Sequence, residues 1–188
     1  MEWNEIPEVN LYSDGGAEPN PGNGGFGVIM SYKGIKREFN QGYELTTNNR
    51  MELMGVIYGL ERLKTKSIVN VFTDSRYVID GIEKGWAERW RSKSWYRTKT
   101  EKAINHDLWD RLLTLISEQQ KVTFNWVKGH AGHFENERCD ELALTALRGD
   151  NLLVDLGYLP NQMQSDEKNE ESYIQSSIKK GKVTKEGD

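Results

Sequence analysis

The alternation of apolar and polar positions changes period several times along the chain. Val9-Asn10-Leu11-Tyr12-Ser13 alternates with period two and ends at Asp14-Gly15-Gly16, the pattern of a half-buried strand that delivers an aspartate to its tip. Pro19-Asn20-Pro21-Gly22 is a turn. Residues 26–32 and 34–43 predict two further strands around a Lys33-Gly34 turn, making an antiparallel meander. Over 48–64 the period lengthens, with Met51, Met54, Ile57, Tyr58 and Leu60 at helical spacing. Ile68-Val69-Asn70-Val71-Phe72 is a β-branched strand ending at Thr73-Asp74-Ser75, and a helix follows over 75–83. A helix over 105–118 turns Leu108, Leu112, Leu115 and Ile116 inward, 122–127 supplies a fifth strand, and 135–148 forms a last helix. Cys139, Leu142, Ala143, Ala146 and Leu147 are its apolar stripe. The fold class is α/β, a mixed five-stranded sheet flanked by helices.

Beyond Leu159-Pro160 the composition shifts to Gln, Ser, Asn, Lys and Glu with few apolar residues, too few to offset the entropy of ordering the chain. Residues 1–159 are expected to form one folded domain and 160–188 a disordered tail. No apolar run approaches the ~20 residues of a membrane span, and Met1-Glu2-Trp3-Asn4-Glu5 carries no basic leader. Cys139 is the single cysteine, so no intrachain disulfide or all-cysteine zinc site can form. The expectation is a soluble, cytoplasmic monomer without a large apolar face.

Net charge changes the picture only when it is localised. The total of −4 argues against nucleic-acid binding by bulk positive charge. Between Lys84 and Lys102, however, lie seven basic residues (Lys84, Arg89, Arg91, Lys93, Arg97, Lys99, Lys102) and only two acids, interleaved with Trp86, Trp90, Trp95 and Tyr96. Aromatic stacking and counterion release are the two forces that such a segment offers to a nucleic acid.

Four carboxylates are the candidates for chemistry, and each has an ordinary explanation. Asp14 can start an Asp-Gly turn, Asp74 can cap the helix after it, and Glu52 can close a capping box with Asn49. Asp140 fits less easily, because helical geometry sets it at the rim of the apolar stripe beside Leu147, while Glu137 and Glu141 point to solvent. Strand ends, a helix start and a helix rim can together gather four acids at one end of a sheet. Such a cluster needs divalent cations to be stable. Oxygen ligands suit magnesium or manganese rather than zinc, and two such ions serve phosphodiester hydrolysis.

Four blocks in order carry a resemblance to a known family. They are Asp14-Gly15 with Asn20-Pro21-Gly22; Thr46-Thr47-Asn48-Asn49-Arg50-Met51-Glu52-Leu53; Thr73-Asp74-Ser75; and Trp126-Val127-Lys128-Gly129-His130-Ala131-Gly132-His133 running on through Asn136-Glu137-Arg138-Cys139-Asp140-Glu141-Leu142-Ala143. Together they resemble the type 1 ribonuclease H family, of the bacterial ribonuclease HI kind, over about residues 9–158. The resemblance implies the ribonuclease H-like fold and a two-metal endoribonuclease that cuts the RNA strand of RNA–DNA hybrids, leaving 5′-phosphate and 3′-hydroxyl ends. Asp14 would bridge two Mg2+ ions, for which Mn2+ would substitute. Asp140 would complete the nucleophile's site, and Glu52 and Asp74 would hold the second ion. His130 would assist proton transfer or product release from a mobile loop; alternatively His130 and His133 are surface loop residues or half of a transition-metal site. Glu52 would sense the 2′-hydroxyl. Asn20, Asn48 and Asn49 would meet minor-groove edges, a role compatible with turns and caps. Thr47 and Asn105 match a pocket for a DNA-strand phosphate. Trp86 would stack near DNA sugars, while Arg89, Arg91, Lys93, Arg97 and Lys99 would meet phosphates; the other reading places Trp86 and Trp90 partly in the core.

Departures from the family pattern are Ser13 in place of a frequent threonine and Leu45 where some relatives carry a basic residue near the phosphate pocket. The resemblance does not explain the Lys179-Lys180-Gly181-Lys182 run. A non-cutting hybrid-binding module would need a broken carboxylate set. A DNA-directed nuclease of the same fold usually lacks the Asn-Asn-Arg-Met-Glu block and the basic segment, and a small-molecule phosphatase has no use for that segment.

Overall fold

A computed structural model of the chain describes residues 5–158; the tail expected over 160–188 lies outside the described residues. The meander forms as β1 (Glu8–Glu18), β2 (Gly22–Tyr32) and β3 (Ile35–Thr46), followed by α1 (Asn48–Glu61), β4 (Ile68–Thr73), α2 (Arg76–Glu83) and α3 (Trp86–Ser92). Next come α4 (His106–Glu118), β5 (Lys121–Trp126), α5 (Phe134–Leu147) and β6 (Leu152–Val154). The strands make one sheet in the order β5-β4-β1-β2-β3-β6. β1, β2 and β3 are antiparallel neighbours, β4 and β5 continue the sheet parallel to β1, and β6 runs parallel to β3.

The sheet therefore has six described strands rather than five. β6 is only three residues long and pairs Leu152, Leu153 and Val154 with Gly42, Tyr43 and Glu44, and so short a segment shows no measurable period. β1 also runs past the expected tip, since Asp14 to Glu18 stay paired with Gly27 to Asn23 of β2. Its glycines hid this continuation, because glycine has low strand propensity and lacks the side chain on which alternation is read.

Those glycines let helices approach the sheet. Gly24 and Gly25 point to opposite faces: a Cβ on Gly24 would strike Met51 of α1, and one on Gly25 would strike Ala143 of α5. α1 and α5 thus pack on opposite sides. On the α1 side, Gly55 and Gly59 bring the helix onto β1, where added Cβ atoms would lie 2.2 Å from Ser13 Oγ and 2.4 Å from Leu11 Cδ1. On the α5 side, a Cβ on Gly27 would sit 2.1 Å from the Cys139 carbonyl oxygen.

The main core lies under α1, where Leu11, Phe26, Val28, Met51, Val56 and Val71 are buried together with Leu108 and Leu112 of α4. Leu115 and Ile116 are only partly buried; Trp109, fully enclosed, completes the inner face instead and donates its indole N–H to Tyr77 Oη at 3.0 Å.

A buried cation joins α1, α4 and the end of the sheet. Arg50, 2% exposed, gives Nε to Asp155 Oδ2 at 2.6 Å and Nη2 to Asp155 Oδ1 at 2.9 Å. It also reaches Asp107 at 2.7 and 3.0 Å and the Asn105 side-chain oxygen at 3.3 Å. Thr46 Oγ1 closes the network by donating to Asp155 Oδ2 at 2.6 Å. Removing the cation alone strands a buried carboxylate. Arg50→Met is expected to destabilise the fold by about 3–5 kcal/mol, and Arg50→Met with Asp155→Leu to recover most of that loss, both measured by urea unfolding.

Candidate active site

Asp14, Glu52 and Asp74 reach one point from three elements. β1 pairs with β4 only as far as Tyr12 opposite Phe72, so just beyond this register the two strands part and leave room between Asp14 and Asp74. Glu52 comes from the first turns of α1, which can lie this close because of Gly15: a Cβ there would be 2.7 Å from the Glu52 amide nitrogen. One carboxylate oxygen from each of the three falls within 4.8 Å of the others. The ordinary explanations are taken by neighbours instead. Thr47 caps α1 by accepting from Arg50 N, and Ser75 caps α2 by accepting from Val78 N, while Asp14 lies within β1 rather than in a turn.

Proximity and burial make the cluster electrostatically costly. Burial, then the charges of Asp74 and Asp140, push the Asp14 carboxyl up to about 7, although the Gly15 N–H donates to Asp14 Oδ1 at 2.7 Å and works the other way. Burial, then Asp14 and Asp74, hold Glu52 well above the usual carboxylate range. Glu52 Oε2 is buried and has no hydrogen-bond partner among the described residues. Asp140, on α5, is half-buried and close enough to act on Asp14, but it contributes no oxygen to the 4.8 Å group.

Two neighbours of Asp74 were not foreseen as site residues. Asn136, buried in the first turn of α5, donates Nδ2 to Asp74 Oδ2 at 3.4 Å, and its own Oδ1 is buried without a partner among the described residues. The signal was present, since Asn136 lies four residues before Asp140 and so shares its helix face. Trp126 donates its indole N–H to the Asp74 carbonyl at 3.1 Å, and the Arg76 guanidinium stacks over its ring at 3.8 Å. The loop after β5 crosses this point: a Cβ on Gly129 would lie 2.4 Å from Asp74 Oδ2. His130, the next residue, is exposed and holds a left-handed backbone with φ 51°. His133 occupies the N-cap of α5 without a capping side-chain bond.

The polar residues ahead of α1 form a chain of contacts. Asn20 Oδ1 accepts from Asn48 N at 3.2 Å and Asn48 Oδ1 accepts from Ala17 N at 2.7 Å. Both side chains are exposed and spend their oxygens on the turn, which leaves amide N–H donors on the surface; Asn49 is exposed beside them. Thr47 and Asn105 are drawn together through Arg50, whose amide donates to Thr47 Oγ1 and whose Nη1 donates to Asn105 Oδ1. Leu45, at the end of β3, is exposed in a left-handed conformation with φ 43°.

In the basic segment, Trp90 is partly buried against Trp109, with ring centroids 6.4 Å apart, so it belongs to the core. Trp86 is half-buried beside it and lies under Lys84 Nζ. Arg91 is engaged by Asp110 at 3.1 Å and Arg97 by Glu101 at 3.3 Å, and Arg89 donates to the Lys84 carbonyl. Lys93 and Lys99 are exposed and take part in no ion pair among the described residues.

Comparison with known proteins turns this geometry into an assignment. The RNase H family model matches residues 7–148. The chain belongs to the RNase H family. Ribonuclease H of Desulforamulus reducens is 56% identical over 151 residues, 80% of this chain and 94% of the relative. Ribonuclease HI of Synechocystis sp. is 50% identical over the same shares of each chain. Among solved structures, LC9-RNase H1, described as a type 1 RNase H with the type 2 active-site motif, superposes with a TM-score of 0.68 at 32% identity, covering 76% of this chain and 73% of that one. Among the described residues no helix is long and apolar enough to cross a membrane.

The raised carboxyl of Asp14 fixes the sign of a pH effect. Folded, it holds a proton up to about 7; unfolded, it releases that proton near 3.8, so between these values the stability of the metal-free protein falls as pH rises. In chelator the chain is expected to melt lower at about pH 8 than at about pH 5.5, by on the order of 1–3 kcal/mol in stability. Asp14→Asn should reduce this dependence, leaving the part of the same sign that the buried Glu52 carboxyl contributes, and thermal unfolding at the two pH values tests both expectations.

Proposed function

We propose that this RNase H family chain is a magnesium-dependent endoribonuclease that hydrolyses the RNA strand of RNA–DNA hybrids, with Asp14, Glu52, Asp74 and Asp140 as its metal-holding residues. The observation that carries the reading is the three-carboxylate cluster within 4.8 Å, containing a buried Glu52 oxygen with no partner. Buried carboxylates at such separation repel unless cations compensate them, and the donor set is oxygen only, which fits a hard divalent ion. Two Mg2+ ions held there supply Lewis acidity for activating water and for stabilising the leaving oxygen.

The protein's own groups do the remaining work. Asp14, whose carboxyl feels the charges of both Asp74 and Asp140, would be the residue common to the metal site. Asn136 and Gly129 fix the position of Asp74. His130, on the loop that crosses Asp74, is the group available to carry a proton to or from the reacting phosphate. Exposed amides of Asn20, Asn48 and Asn49 meet minor-groove edges. Thr47 and Asn105 receive a DNA-strand phosphate, and Trp86 with Arg89, Arg91 and Lys93 grips the DNA strand. Glu52 reads the 2′-hydroxyl, which distinguishes RNA from DNA. A protein of the same fold, LC11-RNase H1, has been crystallised in complex with an RNA/DNA hybrid. Residues 1–159 constitute the catalytic domain, acting in the cytoplasm as a monomer.

With a labelled hybrid and magnesium, cleavage is expected in the RNA strand alone, giving 5′-phosphate and 3′-hydroxyl ends, and none with chelator. RNA duplex, DNA duplex and single strands should stay intact. Asp14→Asn should lower the rate by roughly a thousandfold or more, equivalent to about 4 kcal/mol of lost transition-state stabilisation. Binding of the hybrid without cleavage in either magnesium or manganese would overturn the enzyme assignment.

A further inference from the structure

The end of the sheet remote from the carboxylates carries an apolar groove that no described residue covers. α1 stops at Glu61, whereas the β2–β3 hairpin runs on to Tyr32 and Ile35. Val9, Met30, Tyr32, Ile35, Phe39 and Leu63 therefore line a cavity of about 600 Å³. Ile35 is 68% exposed and Tyr32 39%, a cost for an apolar surface left open by the described residues. Arg37, Arg62 and Lys64 also line the cavity. Arg62 stacks on Tyr58 at 4.2 Å, and none of the ion pairs among the described residues involves any of these three cations.

The ligand chemistry implied is an acidic segment bearing bulky apolar side chains, and the chain contains one. Asp166-Glu167-Lys168-Asn169-Glu170-Glu171 holds four acids and one lysine, and Ser172-Tyr173-Ile174 follows at once. We infer that this segment, Asp166 to Ile174, docks in the groove, with Tyr173 and Ile174 on the apolar floor and the acids against Arg37, Arg62 and Lys64. The reach is sufficient. β6 is in register with Gly42 to Glu44, and the nine positions of β3 from Glu44 back to Ile35 span about 30 Å. The 15 residues from 159 to 173 can extend to about 50 Å. A second copy of the chain is a poorer occupant, since a symmetric contact would bring the same three cations face to face.

The test uses the full chain with labelled methyl groups, comparing wild type with Tyr173→Ser/Ile174→Ser and with Arg37→Glu/Lys64→Glu. Hybrid cleavage serves as the check that each variant is folded, since the groove lies at the far end of the sheet from the carboxylates. The methyl signals of Met30, Ile35 and Leu63 are expected to shift in the tail variant, to stay shifted on dilution, and to return when a peptide spanning 164–178 is added. In the charge-reversed variant the peptide should have no effect on Ile35. Methyl signals identical in wild type and tail variant would overturn the inference. So would a shift that vanishes on dilution, which would assign the groove to a second copy, or signals that respond to an unrelated acidic peptide but not to residues 164–178, which would assign it to a partner.

Discussion

Three carboxylates share a space in which like charges repel, and two of them are pushed out of their ordinary titration range by burial and by one another. Such an arrangement destabilises the folded chain until cations enter it, so the rest of the molecule must supply the rigidity that keeps Asp14, Glu52 and Asp74 together. Backbone does this more than side chain. Gly15 admits the start of α1 against β1, Gly55 and Gly59 keep the helix there, and Gly27 holds α5 equally close on the opposite face. A β-carbon on Gly15 or Gly27 would meet helix backbone and push α1 or α5 away from the sheet, a shift that a catalytic site tolerates poorly.

The Arg50 network answers a second demand. α1 carries Glu52, and its N-terminus must not move when metals and substrate bind. Arg50, two residues earlier, is tied to Asp155 beyond β6 and to Asp107 and Asn105 at the start of α4. A buried ion pair adds little net stability compared with apolar packing, but it fixes geometry. Here it couples the carboxylate-bearing helix to Thr47 and Asn105, so the carboxylate cluster and the proposed phosphate pocket are positioned by the same cation.

The basic segment shows how charge counted along a sequence differs from charge available to a ligand. Arg91 and Arg97 pair on the surface with Asp110 and Glu101, which a phosphate would have to displace, whereas Lys93 and Lys99 are exposed and take part in no ion pair among the described residues. Trp90 is absorbed into the core around Trp109, and Trp86 remains at its margin. The segment is thus part scaffold and part surface.

Much of this was legible in the sequence. The period changes located four of the five helices and five of the six strands, and the order and spacing of the four motif blocks pointed to the family and to the four acids proposed as ligands, because those features are local or nearly so. Three things were decided only by tertiary structure. The capping roles open to Asp74 and Glu52 fell to Ser75 and Thr47, since the packing of α1 on β1 and β4 turns the carboxylates to face one another despite their repulsion. Asn136 became a partner of Asp74 through a contact spanning 62 positions, which no local period encodes. β6, three residues long, exists because β3 offers it an edge and Arg50 anchors Asp155 just beyond it. Sequence determined which groups were present and on which elements; the close approach of helices to glycine-bearing strands determined which of those groups meet.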